Sequence, residues 1–211
     1  MLHTAAPIQS DSRAALGVRT HSGWAAFVAL SIHGDQPQVL ARSRPELVES
    51  FTYKFRQPYH TAETMPLDKA RLFVAGVENE AKRLAHTAIR SLQTDLRKQG
   101  YELTRFALVL ASGKPLPSLD RILASHALIH TADGELFRRA LLHAAERCEL
   151  VAFTVKQSGL IDTASGILAC APAALTTGLT ALGKPMGSPW TQDEKFAALA
   201  AWISLATETQ S

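Results

Sequence analysis

The sequence predicts an α/β fold: a mixed five-stranded sheet with helices on both faces. Three observations carry this. Three short apolar strand patterns, separated by tight turn signals, occupy residues 15–44. A helical hydrophobic period then runs unbroken from 67 to 99. Beyond it, short apolar runs at 106–112 and 150–155 alternate with further helical patterns. A meander followed by strand–helix–strand crossovers gives one mixed sheet, with strands one, four and five parallel and central and the meander running to an edge.

Taken in order, residues 1–13 are polar and aperiodic, which predicts a loose tail ahead of a single α/β domain over 14–211. Strand one covers 15–21 and strand two 24–33, joined at Ser22-Gly23. Strand two is apolar on both faces, so it is expected to be covered on both sides. Gly34-Asp35-Gln36-Pro37 turns the chain into strand three, 38–44. Residues 45–66 are aromatic and polar without a period and read as a long irregular loop, the kind that more often serves function. From 67 to 99, Ala70, Phe73, Val77, Ala81, Leu84, Ala88, Leu92 and Leu96 recur every three or four residues. This is a long amphipathic helix closed by Gly100, and at about 1.5 Å per residue it must kink or overhang the sheet. A short helix at 119–130 and a longer one at 131–149 follow strand four. Small helices at 160–169 and 172–182 follow strand five, and a last helix, 191–206, opens on a Thr191/Glu194 capping box.

The 211 residues are enough for a sizeable core, and 46% hydrophobic against 19% charged residues excludes a disordered chain. A net charge of +3 is compatible with a nucleic-acid partner but does not demand one. Cys148 and Cys170 have no metal-binding spacing and read as buried reduced thiols. No signal-peptide pattern and no bilayer-spanning apolar run is visible, so a soluble cytoplasmic protein without membrane contact is expected.

Gly17-Val18-Arg19 followed by Gly23-Trp24-Ala25, with the element order after it, resembles the ribonuclease H-like superfamily. In the second half it is similar to the Holliday-junction resolvase branch, through the 134–148 helix, the 150–155 strand, Leu182-Gly183 and the final helix after Asp193. The resemblance covers roughly 16–206 and implies a ribonuclease H-like sheet. It also implies a carboxylate on the first strand and another at the end of the fourth. Here Arg19 stands at the first position and Ser112-Gly113-Lys114 at the second. Two dications held together need carboxylates, and a guanidinium repels them, so the usual two-metal nuclease chemistry is expected to be absent.

Strand geometry puts Arg19 and His21 on one face of strand one. Ligands of open α/β sheets collect at strand C-termini where the connection direction switches, so His21 and Ser22 are expected beside Ser112, Gly113 and Lys114. One reading is an anion site formed by Arg19, Lys114 and the Ser112–Gly113 amides. The other is a structural ion pair between Arg19 and Glu135 or Asp193. Tyr59 and His60 could close over that cleft, or simply anchor their own loop. His126 and His130, four residues apart on a helix, have a spacing used by metals, with Glu135 a turn further on. The plainer reading is structural, because a bare HxxxH is unspecific and Thr131 would start a new helix. Trp190 reads as a hydrophobic staple, with Asp193 and Glu194 serving the start of the last helix.

Two functions fit. One is a non-catalytic module whose pocket handles a small anionic ligand or nucleic acid. The other is an enzyme acting on a phosphorylated or nucleic-acid substrate, with His21, His126, His130 and Glu135 as acid–base or metal groups and Arg19 binding the anion. The sequence names no cofactor, no particular metal and no oligomeric state.

Overall fold

The computed structural model describes residues 12–111 and 115–207. Strands β1 (Arg13–His21), β2 (Trp24–His33), β3 (Gln36–Ser43), β4 (Glu102–Leu110) and β5 (Val151–Lys156) form one sheet in the order β3-β2-β1-β4-β5. The β1–β2 and β2–β3 pairs are antiparallel, and β1–β4 and β4–β5 are parallel. The turn between β1 and β2 is tight, with His21 opposite Trp24. Gly23 there takes φ +83°, a conformation that costs glycine little.

Helices α1 (Tyr53–Arg56), α2 (Pro58–Ala62) and α3 (Leu67–Lys98) separate β3 from β4. Helices α4 (Leu119–Leu123) and α5 (His126–Arg147) separate β4 from β5. Helices α6 (Leu160–Ile167), α7 (Pro172–Leu182) and α8 (Gln192–Ala206) complete the chain. Alternate residues of each strand feed two cores. Ala14, Leu16, Val18, Phe106 and Leu108 pack with α3 and α5 on one face. Ala15, Ala107 and Val109 pack with α6, α7 and α8 on the other. The expected mixed five-stranded sheet with helices on both faces is therefore present.

Gly17 sets the closeness of α8 to the sheet. A Cβ there would lie 1.8 Å from the Ala197 carbonyl oxygen, so only glycine fits this approach. Because α8 runs against β1, its first turn comes beside Arg19 at the strand end.

Five sequence expectations change. Strand β5 is an edge strand paired to β4 alone, and most of it is exposed. Its apolar run is short because only one side of it meets the core. Residues 45–66 are not an irregular loop: Pro58 begins α2 and its fixed φ suits a first helical position. The helix break falls at Ala124-Ser125, not at Thr131, whose hydroxyl bonds back to the Ala127 carbonyl within α5. Arg13 belongs to β1 rather than to a tail, while 1–11 lie outside the described residues. Strand β4 begins at Glu102, its polar residues half-buried beside β1. Among the described residues, no single helix is long and apolar enough to cross a membrane.

Candidate functional site

Two polar clusters lie toward the C-terminal end of the parallel strands, one on each face of the sheet. On the α8 face, Arg19 Nη1 is 2.5 Å from Asp193 Oδ1, and Arg19 Nη2 donates to Gln157 Oε1 at 3.3 Å. His21 Nε2 sits 3.0 Å from the same Asp193 oxygen, without the angle of a hydrogen bond. The sequence holds Asp193 there through local chemistry. Thr191 accepts from the Asp193 N–H, and Glu194 accepts from the Thr191 N–H at 2.8 Å, completing the capping box.

The guanidinium of Arg19 also lies 5.4 Å from the Phe196 ring. Gln157 and Phe196 in turn line a shallow cavity of about 360 Å³ with Ala111 and Ser158. At the same strand end, His21 stacks on Trp24 of the neighbouring β2 at 4.1 Å with planes 5° apart, and Arg44 lies 3.4 Å over Trp24. Ser22 presents its carbonyl to Arg56 Nε at 3.1 Å, and Arg56 also covers the exposed Phe51. The turn from β1 into β2 is thus ringed by cations on aromatic faces.

On the α3 and α5 face, the corrected helix boundary places His126, His130 and Asp133 along one side of α5. His126 Nε2 and His130 Nε2 are 3.1 Å apart. His60 from α2 joins them, its ring centroid 4.3 Å from His130 and 5.4 Å from His126. The three histidines offer nitrogens within 4.8 Å of one another and could hold a metal ion. His60 Nδ1 is 2.5 Å from Asp133 Oδ2, and the Tyr59 N–H donates to Asp133 Oδ1 at 2.7 Å. The side chains of His60 and Asp133 are only 8% and 3% exposed. Burial pushes the Asp133 carboxyl above its ordinary value, against the His60 and Tyr59 hydrogen bonds that favour the anion.

Of the residues singled out from sequence, Arg19 and His21 come together, and Arg19 takes Asp193 as its partner rather than Glu135. His126 and His130 meet, but with His60, not with Glu135. Glu135 lies off their side of α5 and pairs with Arg138 at 2.8 Å. Tyr59 does not close over the β1 cleft: it is buried, and its phenol is pushed up by that burial. His60 faces the other side of the sheet from Arg19. Ser112, Gly113 and Lys114 lie outside the described residues. Asp133 was missed, although its spacing of seven from His126 and three from His130 is legible once the helix is continuous.

No protein-family model matches the sequence, and no curated protein does. Among solved structures, the chain is similar to T. thermophilus RuvC in complex with Holliday junction substrate. Identity there is 10% over 94% of this chain and 96% of that one, with a TM-score of 0.54. A second structure, Thermus thermophilus RuvC, matches at 11% identity, covering 93% and 96%, with a TM-score of 0.53. The fold is ribonuclease H-like. Among the described residues, the end of β1 presents the Arg19 guanidinium, a charge that would repel a pair of dications. Of the two carboxylates at the start of α8, Asp193 is held by Arg19 and Glu194 is engaged by Thr191 in the capping box.

Proposed function

We propose that this ribonuclease H-like chain binds nucleic acid at the C-terminal end of β1 and the start of β2 and does not cleave it by two-metal hydrolysis. The observation that carries the reading is the Arg19–Asp193 pair beside the Arg44–Trp24–His21 stack. Guanidinium groups beside aromatic planes suit a strand that offers phosphates and flat bases together. Arg56 over Phe51 extends the same chemistry past the hairpin turn. The RuvC of the comparison is seen with a Holliday junction substrate, which supports testing branched DNA first. A net charge of only +3 implies a local footprint with few phosphate contacts.

The test titrates labelled single-stranded, duplex and four-way-junction DNA with the full chain. Salt is varied from about 50 to 200 mM, with and without magnesium. Binding should weaken as salt rises, and no DNA should be cut. Arg44→Ala, at an exposed position, should weaken binding to all three and lower the salt slope by about 0.9 for duplex and about 0.7 for single-stranded DNA. Asp193→Asn, which removes the competing anion beside Arg19, should strengthen binding. Absence of salt-dependent binding to any of the DNAs, or magnesium-dependent cleavage, overturns the proposal.

The runner-up reading, a hydrolase acting on a phosphorylated or nucleic-acid substrate, is favoured by one observation, the convergence of His60, His126 and His130. It would place chemistry on the opposite face of the sheet from Arg19.

A further inference from the structure

We infer that His60, His126 and His130 form a site for one divalent transition-metal ion of the zinc class, with Asp133 as the residue that positions His60. The inference is independent of nucleic-acid binding, since it rests on a different face and different residues.

Geometry supplies the first argument. Two imidazole nitrogens bound at about 2.0–2.1 Å to one tetrahedral ion are about 3.3 Å apart. His126 Nε2 and His130 Nε2 stand at 3.1 Å before any adjustment. The third ring approaches the other two at steep angles, 88° to His126 and 67° to His130, and those two lie at 80° to each other. These edge-on approaches bring the ring nitrogens of all three histidines toward one point, within 4.8 Å of one another.

The second argument is the carboxylate behind His60. Metal-bound histidines almost always give their other ring N–H to a carboxylate or carbonyl, which fixes the tautomer and the ring orientation. His60 Nδ1 has that partner in Asp133 Oδ2, leaving Nε2 as the nitrogen for an ion. Asp133 is itself fixed by the Tyr59 N–H on its other oxygen. An almost fully buried carboxylate on a helix is expensive unless it is hydrogen-bonded, and His60 and the Tyr59 N–H are the partners it has.

Ligand type selects the ion. Three neutral imidazoles suit zinc, copper, nickel or cobalt and offer nothing to magnesium or calcium, which take oxygen donors. Three histidines with an open fourth position are a known zinc ligand set. His126 and His130 are exposed, so the fourth position faces solvent and holds an exchangeable water or anion. With no carboxylate among the ligands the centre keeps its full dipositive charge, which acidifies that water.

The test uses the full chain stripped with a chelator and titrated with zinc, read by calorimetry, native mass and thermal unfolding. Cobalt is titrated in parallel and read by its visible spectrum. We expect one zinc per chain, a zinc-dependent rise in Tm, and a tetrahedral cobalt spectrum. His126→Ala and His130→Ala alter exposed positions and so leave the fold intact, as circular dichroism can verify. Each should weaken zinc by more than about 100-fold, beyond the about 10–100-fold expected for Asp133→Asn. Asp133→Asn should also alter the cobalt spectrum, which a purely structural role would not do. His143→Ala, on the same helix but outside the cluster, should bind zinc like the parent. Zinc affinity within threefold of the parent in both His126→Ala and His130→Ala overturns the site. So does a stoichiometry of zero.

Discussion

Replacing Gly17 by alanine tests the physical link between the sheet and the helix that carries Asp193. The added Cβ would sit 1.8 Å from the Ala197 carbonyl oxygen, 2.6 Å from its carbon and 3.1 Å from the Ala201 Cβ. A carbon–oxygen contact relaxes at about 3.3 Å or more, so the helix must retreat by roughly 1.5 Å. The obstacle is helix backbone, and no side-chain rotation relieves it. Helix α8 is also nearly all core, with Ala197 through Ala201, Ile203 and Leu205 buried against β1, β2 and β4. Overpacking of this kind costs about 1–3 kcal/mol, and a rigid obstacle places Gly17→Ala at the upper end. For a chain of this size that is a fall in Tm of roughly 6–12 °C.

The sign is diagnostic, because alanine for glycine with room to spare stabilises. Gly76, inside α3 with nothing within 4 Å of its notional Cβ, is the matched control. Gly76→Ala should gain about 0.5–1 kcal/mol from helix propensity. Urea unfolding monitored by tryptophan fluorescence reads both. If Gly17→Ala is as stable as the parent, or more so, α8 does not approach β1 as described, and the Arg19–Asp193 distance loses its support.

Thr191→Ala removes both the acceptor for the Asp193 N–H and the group that Glu194 holds, and should cost about 0.5–2 kcal/mol in urea unfolding. A loss below that range would mean the capping box contributes nothing to placing Asp193. Burial pushes the Cys148 thiol up, so at mildly alkaline pH it should stay unmodified by iodoacetamide while the half-buried Cys170 reacts. Peptide mass mapping distinguishes them, and faster labelling of Cys148 would contradict the packing of α5 against α3.

The fold was legible because its strongest signals are long-range in sequence and periodic. The α3 face, Ala70 to Leu96, repeats over about seven turns, and no local residue choice disturbs it. The hairpin turns at Gly23 and Gly34 both require positive φ, and glycine marks them. Resemblance in element order then pointed to the ribonuclease H-like sheet. Edge position was harder to read. An apolar run such as Val151–Lys156 has the same pattern whether one or two strands flank it, so β5 was placed too centrally. At 53–62 the failure has a different cause. Helices of four and five residues bury too few side chains to show a period, and tertiary contacts through Tyr59 and Ala62 hold them.

The candidate sites were half legible for a related reason. Arg19 and His21 stood out because a strand made them neighbours on one face, a relation fixed by the backbone alone. Their partner Asp193 lies 174 residues away and was one of two carboxylates the sequence offered. The histidine cluster depended on where a helix begins. With a boundary at Thr131, His130 and Asp133 fall on different helices and Glu135 looks like the nearest oxygen. With the boundary at Ser125, one helix face carries His126, His130 and Asp133, and Glu135 turns away to Arg138. What joins the two clusters is the segment that the sequence left shapeless. Arg56 reaches the Ser22 carbonyl on the β1–β2 turn, while Tyr53, three residues earlier, rests edge-on against His60 at 6.3 Å. Helix α1 therefore touches both clusters, and a metal ion drawing His60 toward α5 would bear on the turn next to Trp24. If the two sites communicate, zinc should change DNA affinity in the parent and have no effect once Arg56→Ala breaks the link to Ser22. An unchanged DNA affinity with zinc bound would make them separate sites that share one end of the sheet.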